Sequence, residues 1–390
     1  MLKQMLTAAS PIGKISHKAR KNVTMIQAWL RILLLMMFLS SASLRPGWAT
    51  TSTDSTEAAP DCLGGAGIRA QDSLWLIGTR HLGSPDPYRC DHQHFQILRY
   101  EASGWQARDL SEFLTDQHDV TAFYVHGNRI DQSRVFSRGH EAYRAVVRGG
   151  DPAETVRFVV WSWPSDRICG PRRDILAKAA RADNEAYYLA SILSQMPDGT
   201  DVGLLGFSFG ARIISGALHI IGGGSLNGRK LTSVTEPPRL QLRAVLMAAA
   251  MDNDWWLPYG RHHLTPNIAD QLLVQFNSSD PVLKLYPRID RRRPQALGYR
   301  GIAGLGRLDS QRVQQQNVQC LLGKTHDVSR YFHSPTVMQR ARQTLLPPDR
   351  PATTSDNDSL TLQQQEPGSS PVAAVGTRSD LGFLELDEVE

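Results

Sequence analysis

The sequence predicts an α/β fold: a mostly parallel central sheet of about eight strands, flanked by helices. Three observations predict it. Short apolar runs alternate with longer amphipathic stretches through the middle of the chain. The later runs are continuous rather than alternating, as expected of strands covered on both faces. One run passes through a glycine-bounded hinge, Gly206 to Gly210, directly into a helical pattern.

Of 390 residues, 41% are hydrophobic, which excludes global disorder and allows one large core. The chain begins with a basic segment. Residues 1–49 hold Lys3, Lys14, Lys18, Arg20, Lys21, Arg31 and Arg45 and no acid. An apolar run from Ile32 to Leu39 follows Arg31, far short of the roughly 20 residues that span a bilayer. With Gly47 and Ala49 as a small-residue cleavage site, residues 1–49 read as an export signal. Thr50 is then the first mature residue; left uncleaved, the segment is an N-terminal membrane anchor. The basic part is long, which allows Met25 as the true start. The expected location is therefore exported: periplasmic, secreted or anchored. Residues 50–69 read as a linker, and 70–346 as one α/β domain.

Strands are predicted at Ser73–Gly78, Phe95–Tyr100, Val120–Val125 and Arg157–Trp161, then at Val202–Gly206, Arg243–Met247 and Leu272–Phe276. Val318–Leu322 is a weaker last strand. Between them, Asp174–Leu193 sets Ile175, Ala179, Ala182, Ala186, Leu189 and Leu193 at helical spacing on one face. Phe209–Ile221 carries Ile213, Ile214, Leu218 and Ile221, and stops at Gly222–Gly224. Ser334–Leu345 is the last helix, since Pro347 and Pro348 cannot continue it. Residues 347–390 are rich in Pro, Ser, Thr and Gln, end acidic and read as a disordered tail.

The formal net charge of +5 needs placing before it is interpreted. The tail carries nine acids and two arginines, so it offsets the seven basic residues of the start. The remaining core is mildly basic, and nothing points to nucleic acid. Four cysteines, Cys62, Cys90, Cys169 and Cys320, allow two disulfides in an exported protein. Cys62 and Cys90 flank the first strand and are the favoured pair. No CxxC pair exists, so no zinc site is expected.

Chemistry concentrates in Gly206-Phe207-Ser208-Phe209-Gly210, between a predicted strand and a predicted helix. This is the GxSxG nucleophile elbow in its required context. A serine hydroxyl needs a base at neutral pH. His326, in GKTHD after the last strand, is the candidate. His262 and His263 lie in a long excursion, and the His92/His94 pair reads as surface strand rather than metal site. The base needs a carboxylate to orient it. Asp280, in NSSDPVL just past the seventh strand, is placed to do so, with Asp252, Asp254 and Asp327 as rivals.

The order Ser208, Asp280, His326 is that of the α/β-hydrolases. Residues 70–346 resemble that superfamily, and look like bacterial exported or uncharacterised serine-hydrolase members. The matching pieces are FYVHGN (123–128), GFSFG (206–210), NSSDPVL (277–283) and GKTHD (323–327). The resemblance implies an oxyanion hole from the backbone N–H groups of Asn128 and of Phe209. Asn128 stands where the lipase HGGG pattern has glycine, and His126 is expected to be structural. The implied activity is cofactor-free hydrolysis of an ester, thioester or amide through an acyl-enzyme. The expected partner is a small ester or lipid-like substrate, with membrane contact only through residues 1–49. A serine nucleophile disfavours a dehalogenase, and no long insertion suits a peptidase. The rival is a non-catalytic, envelope-associated binding protein on the same fold. Trp161, Trp163, Trp255 and Trp256 are candidates to line an acyl pocket or to pack under loops. Arg288 and Arg291 to Arg293 read as a solvated face.

Overall fold

The continuous apolar runs pair side by side, because each is too hydrophobic on both faces to lie at a surface. The computed structural model describes residues 67–84, 94–231 and 238–346. The expected export signal, Cys62, Cys90, His92 and the acidic tail lie outside the described residues. Contacts divide the chain into Met1–Pro348 and Asp349–Glu390, and every described residue belongs to the first unit.

The strands are β1 Ser73–Gly78, β2 Gln96–Glu101, β3 Gly104–Ala107, β4 Val120–Val125, β5 Val156–Ser162, β6 Asp201–Phe207, β7 Gln241–Met247, β8 Gln271–Phe276 and β9 Val313–Asn317. They form one sheet in the order β3-β2-β1-β5-β4-β6-β7-β8-β9. All neighbours from β1 to β9 along that order pair in parallel. Only β2 and β3 at one edge pair antiparallel. Every residue of β1, β4, β5 and β6 is buried, which is why their sequences do not alternate.

The helices are α1 Leu110–Thr115, α2 Gln132–Val147, α3 Pro171–Leu193, α4 Phe209–Ile221, α5 Thr265–Ile268, α6 Leu297–Arg300, α7 Gln319–Leu322, α8 Val328–Phe332 and α9 Pro335–Leu345. They cover both faces of the sheet. On β6, a Cβ at Gly203 would meet Leu345 of α9, whereas one at Gly206 would meet Ala211 and Ile214 of α4. An odd separation along a strand reverses the face, so α4 and α9 lie on opposite sides.

One expectation needs correction. The last strand is β9, not Val318–Leu322. β9 is the polar sequence VQQQN and lies on the sheet's edge, paired only to β8, so it never needed an apolar run. The apolar run expected there instead makes the short helix α7, which buries Val318 and Leu322 four residues apart. The sheet also has a ninth strand, β3, a four-residue edge partner of β2. Cys169 and Cys320 are exposed free thiols, not bonded to each other. Among the described residues no helix is long and apolar enough to cross a membrane.

The strand order positions the site. β4 connects through α2 to β5 on one side, while β6 lies on its other side. The carboxyl ends of β4 and β6 therefore flank a topological switch point, where open α/β sheets form their crevice.

Candidate active site

At that switch point β6 ends and α4 begins, with Ser208 between them. Ser208 has φ 54° and ψ −114°, a conformation that L-residues rarely adopt. Such a backbone costs on the order of 1–3 kcal/mol and persists only when its surroundings hold it. Two hydrogen bonds do so: Ser208 N–H donates to Met247 O (2.9 Å), and Ser208 O accepts from Ala250 N–H (3.1 Å). The two motif glycines are sterically required. A Cβ at Gly206 would sit 2.7 Å from the Ala211 backbone, and one at Gly210 would sit 1.9 Å from Val125 O. Strand, turn and helix can pack this closely only without those carbons.

The expected base reaches Ser208, and the expected acid reaches the base. His326 Nε2 lies 3.1 Å from Ser208 Oγ, and His326 Nδ1 lies 2.5 Å from Asp280 Oδ2. Asp280 is fully buried, and its Oδ1 accepts from Val282 N–H (2.8 Å) and Leu283 N–H (2.9 Å). These contacts fix the carboxylate and leave Oδ2 for the imidazole. The His326 ring also packs against Phe207, at 5.1 Å between centroids.

The rival carboxylates have other partners. Asp252 Oδ1 accepts from Tyr286 Oη–H (2.7 Å), and burial raises its pKa. Asp327 caps α8, accepting from Ser329 N–H (3.1 Å). Asp254 is exposed. His262 is buried against Ser215 Oγ (3.0 Å). His94 and His263 are exposed and remote in sequence from the elbow.

The loop after β4 presses on the nucleophile. A Cβ at Gly127 would lie 3.3 Å from Ser208 Cβ, so the backbone passes beside the serine. The Asn128 side chain faces away: Nδ2 donates to Asp174 Oδ2 (3.1 Å) and Oδ1 accepts from Arg129 N–H (2.9 Å). Phe209 is the first residue of α4, so its N–H has no intrahelical acceptor. His126 is wholly buried beneath the loop, stacked on Trp163, whose Nε1–H donates to His126 O (2.8 Å). Burial pushes the His126 pKa down to about 3, so the ring is neutral and packs as a structural element.

Two residues join this site that sequence reasoning did not single out. Asn277 is fully buried; its Nδ2 donates to Gly323 O (2.8 Å) and Thr325 O (3.3 Å). It thereby ties the Asp280 turn to the His326 loop. Asp174, buried in the first turn of α3, anchors the loop after β4 through Asn128 and Arg129 Nε (3.4 Å). Asn277 lay within a quoted motif, but its letter carries no sign of the long-range bonds. Of the two readings open for the tryptophans, packing holds for three. Trp161 and Trp163 are fully buried, with Trp161 Nε1–H donating to Glu185 Oε2 (3.0 Å), and Trp256 donates to Ser215 Oγ (2.9 Å). They pack the core, whereas Trp255 borders an open cleft. No His, Cys, Asp and Glu cluster among the described residues could hold a metal.

A mostly parallel sheet, a serine elbow at its switch point, and an acid and a histidine from later loops define an α/β-hydrolase fold. No protein-family model and no curated protein matches the chain. Among solved structures, it is similar to a lipase-esterase related protein from Clostridium acetobutylicum. That match has 9% identity and a TM-score of 0.29, and covers 58% of this chain and 93% of the other. It is also similar to acyl-protein thioesterase 2 of Zea mays, at 16% identity and a TM-score of 0.28, over 52% of this chain and 86% of the other.

Proposed function

We propose that the protein is a serine hydrolase that cleaves an ester, or a related thioester or amide, through an acyl-enzyme. The observation that carries this reading is the continuous line Ser208 Oγ, His326 and Asp280, with gaps of 3.1 and 2.5 Å. His326 Nε2 accepts the Ser208 proton as Oγ attacks the carbonyl carbon. The developing oxyanion is held by the Asn128 and Phe209 N–H groups, each such donor being worth about 10²–10³ in rate. The tetrahedral species collapses as His326 gives its proton to the leaving group, and the acyl group stays on Ser208. Water then attacks, passes a proton to His326, and the acid leaves as that proton returns to Ser208 Oγ. Asp280 holds the ring with Nδ1 protonated and stabilises the imidazolium. These steps use only protein groups and water.

We further propose that residues 1–49 direct the chain out of the cytoplasm or anchor it, with any membrane contact made through that segment. Hydrolysis of p-nitrophenyl acetate and butyrate tests the reading. Ser208→Ala and His326→Ala are each expected to lower kcat/KM by at least about 10³. Turnover within tenfold of wild type in Ser208→Ala would sink it.

A further inference from the structure

A cleft of about 610 Å³ lies beside the elbow, and the triad does not line it. Its walls begin one helical turn from Ser208. Arg212 on α4 forms one wall, and its backbone N–H closes the first helical turn on Ser208 O (3.4 Å). Asp252 forms another, two residues beyond Ala250, which also donates to Ser208 O.

The charged groups in the cleft balance. Arg212, Arg261 and Arg292 face Asp252, Asp254 and Asp290. The arginines are also matched within the walls. Arg212 Nη2 and Arg261 Nη2 both donate to Asp183, at 3.1 and 2.7 Å, and Arg292 pairs with Asp290 at 3.0 Å. A net anion or cation entering the cleft would meet both signs at once. Donors remain unused, however. A guanidinium carries five N–H groups. Arg261 and Arg292 are exposed, and their bonds to Asp183, Asn227 and Asp290 use Nη2 of the first and Nε and Nη2 of the second. Spare donors beside carboxylate acceptors, at zero net charge, suit a neutral group whose hydroxyls both donate and accept.

The rim adds an aromatic face. Tyr259 is 100% exposed and sits at φ 67°, a rare backbone for a bulky residue. The turn that displays it is tightly packed. Gly260 N–H donates to Leu257 O (2.8 Å), and a Cβ at Gly260 would lie 2.5 Å from Trp255 O. An aromatic ring held open to solvent at the rim of the cleft offers a stacking surface for the C–H face of a pyranose or furanose ring.

We infer that this cleft binds a neutral saccharide, so that the substrate is an acyl ester of a saccharide hydroxyl. The ester half rests on the serine-hydrolase reading; the binding half does not. Calorimetric titration of the full chain with unesterified xylo-, cello- and chito-tetraose tests the binding half. At least one is expected to bind with Kd near or below about 1 mM. Tyr259→Ala and Asp254→Asn, both at exposed positions, should each weaken it at least about tenfold. With the O-acetylated tetrasaccharide, Tyr259→Ala should raise KM at least about fivefold more than with p-nitrophenyl acetate. The inference is overturned if none of the three binds, or if both variants bind within twofold of wild type. Binding of citrate or choline in preference to the saccharides would also overturn it. Saccharide binding without organophosphonate labelling of Ser208 would uphold the cleft and refute the hydrolase reading, so the two failures are distinguishable.

Discussion

Replacing Gly210 by alanine perturbs the elbow with the smallest possible group. The added carbon would stand 1.9 Å from Val125 O and 2.6 Å from Val125 C. Both are backbone atoms of β4, so no side chain can swing aside. Ordinary contact would require α4 and the end of β4 to separate by about 1.5 Å. Overpacking of this kind costs about 1–3 kcal/mol in stability. The same movement parts the Phe209 N–H from the Asn128 loop, across the serine. Misplacing a catalytic group by about 1 Å costs about 10² in rate. Gly210→Ala is therefore expected to lower the urea midpoint and to slow fluorophosphonate labelling about a hundredfold or more. Gly306→Ala is the control, because its Cβ would meet nothing within 4 Å. Labelling of Gly210→Ala within threefold of wild type, at unchanged stability, would refute the steric reasoning.

Asp280→Asn keeps the shape of the acid but turns an amide toward His326 Nδ1, favouring the wrong tautomer; kcat on p-nitrophenyl butyrate should fall about 10³–10⁴-fold. Asn277→Ala leaves Gly323 O and Thr325 O without their donor. A stability loss of about 1–3 kcal/mol by urea titration is expected, with a drop in kcat larger than any change in KM. Acid should destabilise the fold through His126. Its pKa is near 3 when folded against 6.5 in the unfolded chain, so below pH 6.5 unfolding takes up a proton that the folded state excludes. The loss reaches about 2 kcal/mol by pH 5 and grows as the pH falls toward 3. His262, also driven low by burial, acts in the same direction, whereas Asp252 and Glu185, raised by burial, act oppositely. Comparing wild type with His126→Asn at pH 7.5 and 5 isolates the His126 share, and equal pH slopes would contradict it.

What the sequence made legible were features whose chemistry is local. Gly206 and Gly210 advertise the elbow because their spacing encodes two backbone contacts that no side chain survives. The runs of β4, β5 and β6 announce a covered sheet because every position is buried. Asp280 and His326 each follow a loop late in the chain, where they can meet Ser208. β9 was hidden because an edge strand with one partner needs no apolar run, while Val318 and Leu322 imitate a strand by packing as one helical turn. Asn277 and Asp174 were hidden because their roles consist of bonds to residues 46 positions away. Trp161 and Trp163 could be read as pocket walls or as packing, because sequence does not say which way a residue at the end of a strand turns; both go to the core. The cleft lined by Ala179, Arg212, Asp252 and Asp290 joins four separate segments and has no linear signature.

Mass spectrometry of the intact, folded chain after fluorophosphonate treatment addresses the proposed nucleophile most directly. One adduct is expected, mapped by peptide sequencing to Ser208, absent in Ser208→Ala and formed at least about 10³-fold more slowly in His326→Ala. No adduct on folded protein, or an adduct on any other residue, would contradict Ser208 as a serine-hydrolase nucleophile.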